Sequence, residues 1–513
     1  MSNPNRKHGL KVTQASDVAP GTLSLKADVV VIGSGAGGGV AAYELAKSGK
    51  KVIVLEAGPY VPSEKFTEML AVTMGQMFAD GGGQSNTTGD MSILQGVCVG
   101  GSTVVNAAVC FRTPDQFLKK WAKDYGLTNL TTEVLTPHFE KIEKYLSIKR
   151  NTPSETSQDA ELLIEGFEKA GISWDRSPRN IKDCALSAAC LAGCYSDRKQ
   201  SMLITCLPWA VELGAEIYAD TRVVKVREES GKAIGIDAQI IDPATGEKKV
   251  DLSIDAPLIV LAAGAVQTPI LLLRSEIGNS SGQVGKNLSC HPTLSISGQF
   301  ADLESNFLGA WHSVYSDQFA MPQEGGFLLL QAVQEPLEAS FQVEAGTGKA
   351  NMDYVANSKN YTRLISEIHD RNQGEILWED GIKKIKYDLV DEDFLAMKKG
   401  MKRAAEVLFA AGAEKIMLPT SNQAEASSRE EADKIIDALE NERARYRYAA
   451  YHPSGTCRMG TDIKNSVVGP NGETHDVKGL YIVDASIIPT SFGLNPSETI
   501  YALSSYICDQ INS

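Results

Sequence analysis

Residues 27–32, ADVVVI, run directly into GSGAGG (Gly33–Gly38) and then into VAAYELAKSG, and this strand, glycine turn and helix constrain the fold more than any other stretch of the chain. Gly33 permits a tight turn, Gly35 lets the backbone approach a pyrophosphate, and Gly38 allows close packing of helix on strand. Ser34, Ala36 and Gly37 complete the loop, and the unpaired N–H groups of the helix N-terminus favour an anion there. A second apolar strand, KVIVLEAG, ends in Glu56 and Ala57, with Glu56 standing 18 residues beyond Gly38. A carboxylate at that distance accepts hydrogen bonds from the adenosine ribose and repels a 2′-phosphate. The unit therefore predicts an α/β, Rossmann-like domain that holds the ADP half of a dinucleotide. It does not separate NAD from FAD, because both carry that half.

Composition narrows the class further. Lys and Arg number 50 against 64 Asp and Glu, a net charge of −14, and the pI is about 5.2. Such a balance speaks against nucleic acid or an anionic membrane surface as partner. The longest apolar stretch, PLIVLAAGAV (Pro257–Val266), is far shorter than the roughly 20 residues of a membrane-spanning helix, so no transmembrane segment is expected. The N-terminal residues lack an apolar signal core and a small-residue cleavage site, which makes the cytoplasm the expected location. A chain of 513 residues is too long for one ordinary core, and two domains are expected.

Further motifs follow in a fixed order: LQGVCVGGSTVVN (Leu94–Asn106), GAEIYADTRVVKV (Gly214–Val226), LIVLAAGAVQTPILLLRS (Leu258–Ser275), VGKNLSCHP (Val284–Pro292), YHPSGTCRMG (Tyr451–Gly460) and GLYIVDASIIPTSFGLNPSETIYAL (Gly479–Leu503). Together they resemble the glucose-methanol-choline (GMC) oxidoreductases, nearest the cholesterol oxidase and long-chain alcohol oxidase branches. The resemblance implies FAD rather than NAD. It places Gly100, Gly101, Ser102 and Asn106 along the pyrophosphate and isoalloxazine, Val224 against the adenine, and Ala263, Gly264, Asp484, Ala485 and Pro496 elsewhere on the cofactor. Relatives that attach the flavin covalently do so through a histidine just before the loop asparagine; here Val105 stands there, so non-covalent FAD is expected.

The resemblance also assigns His452 and Asn495 to catalysis. Oxidising an alcohol removes a hydride from carbon and a proton from oxygen, so a neutral imidazole takes the proton while the flavin accepts the hydride. An unperturbed imidazole pKa near 6.5 suits that task. Asn495 is expected to donate to the substrate oxygen and orient it. Without this family context, His452 capping a turn is the ordinary reading; His291 is read as structural, and His312 and His369 are left unassigned. The expected partners are a small-molecule alcohol, apolar or aromatic, and an electron acceptor, whether oxygen, a quinone or an electron-transfer protein.

The nine cysteines form no disulfide framework of a small secreted scaffold. Cys184, Cys190, Cys194 and Cys206 nevertheless cluster in sequence, so plain thiols, a disulfide and an iron–sulfur cluster are the alternatives there. Plain thiols are the expectation, with no metal. An iron–sulfur sugar or polyol dehydrogenase of the same family is the runner-up function, and a non-catalytic flavin-binding protein is the alternative from another class. The scattered motifs predict an FAD domain assembled from 25–110, 200–295 and 450–513, and a substrate domain from 111–199 and 296–449 with an antiparallel sheet backed by helices. Residues 1–24 are expected to be an arm. Strand character marks Gly325–Gln334 and Leu337–Gly346, helical spacing marks Phe394–Gly412, and the charged run Ser427–Arg447 reads as a solvated helix. Trp209, Trp311, Phe327 and Tyr361 are expected in the core or a pocket wall.

Overall fold

The computed structural model describes residues 10–333, 348–371, 373–420, 424–442, 446 and 448–513. The runs VVVI, VIVL and LIVL become the centre of a five-stranded parallel sheet, in the order Leu480–Ile482, Leu258–Leu261, Val29–Ile32, Val52–Leu55, Glu216–Tyr218. Their uninterrupted apolar character is what a parallel sheet covered on both faces requires, and Val29–Ile32 and Val52–Leu55 are buried at every position. The helix Ala36–Lys47 packs on this sheet and against the C-terminal helix Ser497–Asn512. The helices Asp115–Tyr125 and Thr132–Leu146 add Phe117, Trp121, Phe139 and Ile142 to the same core.

A four-stranded sheet flanks this unit, in the order Gly21–Lys26, Lys248–Asp255, Lys232–Ile241, Thr221–Glu229. Gly21–Lys26 pairs in parallel with Lys248–Asp255, so the end of the expected arm is fastened as an edge strand.

The second layer is a nine-stranded sheet whose middle strands, Thr293–Gln299, Tyr361–Ile368 and Phe327–Ala332, are antiparallel. The helix Asp391–Ala410 covers its back, and the helix Gln158–Ala170 packs on that helix. Phe327–Ala332 and Asp391–Ala410 fall where strand and helix were expected, whereas Leu337–Gly346 lies outside the described residues. Within the charged run the helix is shorter, Arg429–Asp437, capped by the Ser428 side chain accepting from Glu431 N–H, and it buries Ala432 and Ile436. No helix among the described residues is long and apolar enough to cross a membrane.

The short strand Tyr448–Ala450 belongs to the nine-stranded sheet, pairing in parallel with Met91–Ile93 and, through Ala449, antiparallel with Thr293. His452 follows it by two residues, at the start of the stretch of chain that leads from this sheet to Leu480–Ile482 of the parallel one, the seam between the two in chain order.

Candidate active site

A single large cavity of about 1110 Å³ runs from the glycine turn to this seam. At the nucleotide end the two glycine loops meet: a Cβ on Gly101, whose φ is +55°, would stand 2.7 Å from Gly35 Cα. The smallest residue on both sides lets these two stretches of backbone approach, and it leaves their surfaces open to a ligand. Glu56 is buried and already engaged, accepting from Ser34 N–H at 3.0 Å, Ser34 Oγ–H at 2.6 Å and Gly58 N–H at 3.0 Å. Burial raises its carboxyl above the ordinary range. Asp484 plays a matching part just beyond the edge strand Leu480–Ile482, accepting from Gly264 N–H at 2.9 Å and Ser486 N–H at 2.8 Å.

At the seam, Asn495 Nδ2 lies 3.1 Å from His452 Nε2. An amide N–H only donates, so Nε2 carries the lone pair and the neutral ring holds its proton on Nδ1. Ser454 and Ser289 exchange both backbone hydrogen bonds beside His452, and Asn495 is held just before the buried helix Ser497–Asn512. Partly buried in the cavity wall, the His452 imidazole is lowered to about 4 by desolvation, so it is neutral at physiological pH. Among the described residues its Nδ1 and the Asn495 Oδ1 have no hydrogen-bond partner.

Two further groups stand beside the pair. A ring nitrogen of His291, a carboxylate oxygen of Glu367 and a ring nitrogen of His452 all lie within 4.8 Å of one another. His291 Nε2 accepts from Gly493 N–H at 3.0 Å, and its ring meets that of His452 edge-on, with centroids 5.4 Å apart. Glu367, 2% exposed, is pushed up to about 8 by burial and keeps its proton at neutral pH. A carboxyl raised in the folded state favours folding at low pH, and that contribution is lost as pH rises from about 4.5 to about 8. Glu367→Gln is therefore expected to widen its thermal-stability advantage over the parent between pH 5 and pH 9, by at most a few kcal/mol. Parallel Tm profiles across that range would remove Glu367 as the source.

Of the expected cofactor residues, Gly33, Gly35, Ala36, Gly37, Glu56, Ala57, Gly101, Ser102, Asn106, Ala263, Gly264, Asp484, Ala485, Asn495 and Pro496 all line the cavity. Ser34, Gly38, Gly100 and Val224 do not. Ser34 instead ties Glu56 to Gly100, whose N–H donates to Ser34 Oγ at 2.9 Å. Gly38 faces Gly33 O, where a Cβ would meet the oxygen at 1.9 Å. On the strand that carries Val224, the preceding residues Thr221, Arg222 and Val223 form the wall. Trp311 reaches the cavity, whereas Trp209, Phe327 and Tyr361 pack elsewhere.

Sequence reasoning overlooked Arg363 and Glu367. Both belong to TRLISE, and with Ile365 they occupy alternate positions on one face of a strand that also brings Thr293 and Ser295 of its neighbour to the wall. The period-2 placement of charge in a central strand was the available signal. His291, read as structural, stands beside His452, while His312 reaches the wall with its ring bonded to Gln331 O. All nine cysteines are free. Among the described residues the sulfurs of Cys184, Cys190, Cys194 and Cys206 do not gather into a group able to share an ion.

The cavity fits an extended dinucleotide. It exceeds the usual range of small-ligand pockets, joins a glycine-rich cradle to the His452 seam, and presents the unpartnered Asn495 Oδ1. A model of the FAD binding domain matches residues 28–71, and two models of GMC oxidoreductase match residues 74–293 and 373–504. The chain is 28% identical to a long-chain-alcohol oxidase of Arabidopsis thaliana, FAO3, over 96% of its own length and 69% of that protein. It is 29% identical to an uncharacterized GMC-type oxidoreductase of Sinorhizobium fredii, covering 95% of each. Among solved structures, formate oxidase superposes with a TM-score of 0.71 at 17% identity, covering 96% of this chain and 98% of that one. Pyridoxine 4-oxidase superposes with a TM-score of 0.66 at 18% identity, covering 94% and 98%. With a dinucleotide cradle at one end, a buried imidazole–amide pair at the other and matching family models across both halves, the chain belongs to the GMC oxidoreductase family, and its cofactor is FAD.

Proposed function

We propose that the protein oxidises an alcohol CH–OH group to a carbonyl, with His452 as the proton acceptor and Asn495 as the group that orients the alcohol oxygen. The observation that carries this reading is the 3.1 Å approach of Asn495 Nδ2 to His452 Nε2 in the wall of the FAD cavity. FAD, when bound, supplies the hydride acceptor. The arriving hydroxyl takes the place of the Asn495 N–H at the lone pair of His452 Nε2, donating to it while accepting from Asn495 Nδ2, which aligns the departing proton with its base. Glu367, holding its own proton, competes with His452 neither as base nor as a like charge; it is a hydrogen-bond donor to the substrate. The expected apolar or aromatic body finds Trp311 and Ile365 in the wall, and Ser295 and Glu367 supply partners for a polar substituent.

A base already deprotonated well below neutrality sets the pH profile. The acid limb of kcat/KM is expected near pH 4 to 5, closer to the lowered imidazole of His452 than to the ordinary value of about 6.5. A limb at or above 6.5 would assign the proton transfer to another group.

Anaerobic mixing of the yellow holoenzyme with a panel of alcohols tests the reaction class. A substrate bleaches the flavin absorbance, and admitting air afterwards separates oxygen from a quinone or an electron-transfer protein as acceptor. Yellow protein inert to every alcohol favours the non-catalytic flavin-binding alternative.

A further inference from the structure

The cysteine-rich segment between Cys184 and Cys206 takes no part in the function described so far, yet it carries a buried ammonium. Lys199 is 2% exposed. Its Nζ donates to three backbone carbonyls, Val104 O at 2.6 Å, Asn106 O at 2.8 Å and Cys190 O at 2.7 Å. Three N–H donors meet three acceptors, and among the described residues no carboxylate pairs with it. Two of the three carbonyls belong to the end of the glycine loop GGSTVVN, whose Val105 and Asn106 line the FAD cavity.

A second buried cation from the same side reaches the next peptide. Arg179 Nε and Nη2 donate to Ala107 O at 3.3 and 3.2 Å, and Arg179 Nη2 lies 3.1 Å from Cys190 Sγ. Met202 N–H donates to Thr103 Oγ1 at 3.0 Å, just before the clasped stretch. Lys199, Met202 and Arg179 thus together hold residues 103–107.

Peptide geometry turns this grip into a statement about the cavity. The described chain contains no cis peptide bond, and in a trans peptide the C=O and the N–H point in opposite directions. With the Asn106 carbonyl committed to Lys199, the Ala107 N–H points away from Lys199, and Ala107 is part of the cavity wall. An ammonium on the oxygen polarises the whole amide and strengthens its N–H as a donor. By contrast the next N–H, of Ala108, is already taken by Asn106 Oδ1 at 3.1 Å.

We propose that Lys199 is a positioning residue for the flavin: its charge orients and polarises the Asn106–Ala107 peptide toward the ring and stabilises the negative charge that reduction places there. Burial lowers its ammonium to about 8, which leaves it largely protonated at neutral pH.

The test compares Lys199→Gln, which retains an N–H donor without the charge, with Lys199→Arg, which retains the charge. Three quantities are read: the FAD dissociation constant, the flavin midpoint potential and the affinity for sulfite, an anionic probe that adds to the oxidised ring. The Gln variant is expected to have a more negative potential and roughly tenfold weaker sulfite affinity, the size of a hydrogen bond to a charged group. The Arg variant keeps the charge but not the compact ammonium geometry, and is expected to lie closer to the parent than the Gln variant does in both potential and sulfite affinity. Potentials and sulfite affinities that are equal in all three proteins would overturn the proposal. Loss of folding or of FAD in both variants would overturn it too, by reducing Lys199 to a structural anchor. None of these readouts uses an alcohol, so the result is separable from the role proposed for His452.

Discussion

His452→Ala is expected to lower kcat by roughly a hundred- to ten-thousand-fold, the usual contribution of a positioned general base, while the protein still purifies yellow. The cofactor is retained because the cradle is built elsewhere. Its glycine turns, Glu56 and Asp484 are held by Ser34, Gly58, Gly264 and Ser486, none of which touches the imidazole. The His452 side chain makes one hydrogen bond, to Asn495, so its removal leaves the neighbouring backbone ladder between Ser454 and Ser289 intact. The measurement is a stopped-flow rate of flavin reduction at saturating alcohol, alongside the flavin-to-protein absorbance ratio. A variant that reduces its flavin at the parental rate would dismiss His452 as the base.

Gly37→Ala is expected to give colourless or insoluble protein. Gly37 has ordinary helical backbone, so strain in φ is not the reason. A Cβ at this position would stand 1.8 Å from Val483 O and 2.7 Å from its carbon, and Val483 N–H is itself bonded to Leu261 O within the parallel sheet. Helix and sheet can accommodate a methyl group only by moving apart, which opens the core around Val40, Ala41 and Ile482 and shifts the helix N-terminus that lines the cavity. Overpacking of this kind ordinarily costs about 1–3 kcal/mol and more where rigid backbone is the obstacle. The checks are flavin content and Tm; a yellow variant with parental Tm would show that the helix has room to move.

The nucleotide end was legible because its chemistry is local. Gly33, Gly35 and Gly38 act within six residues, and the apolar runs around them have one stable arrangement, a parallel sheet under helices. Val224 marks the limit of such reading: the strand was recognisable, but that Thr221, Arg222 and Val223 rather than Val224 line the cavity depends on how the strand is placed in the tertiary structure. His452 and Asn495 were recovered only through their motifs, since nothing in either neighbourhood announces a partner 43 residues away.

Glu367 and Lys199 show why the rest stayed hidden. In a linear chain a glutamate in TRLISEI or a lysine in DRKQS reads as solvated charge, because charged residues are rarely buried. Their burial comes from segments distant in sequence: Lys199 meets Val104 across 95 residues, and Glu367 faces His452 and His291 from a different sheet strand.

By itself, then, the sequence determined the parallel nucleotide unit, which follows from short-range spacing of glycine, β-branched and acidic residues, while the family and FAD were legible through the resemblance that its ordered motifs carry along the chain. Tertiary structure alone decided which charges are stripped of water, which tautomer His452 adopts, and which peptide of the glycine loop is clamped by Lys199. Desolvation and hydrogen-bond direction are properties of the space between segments, and that space exists only once segments distant in sequence close around the cavity.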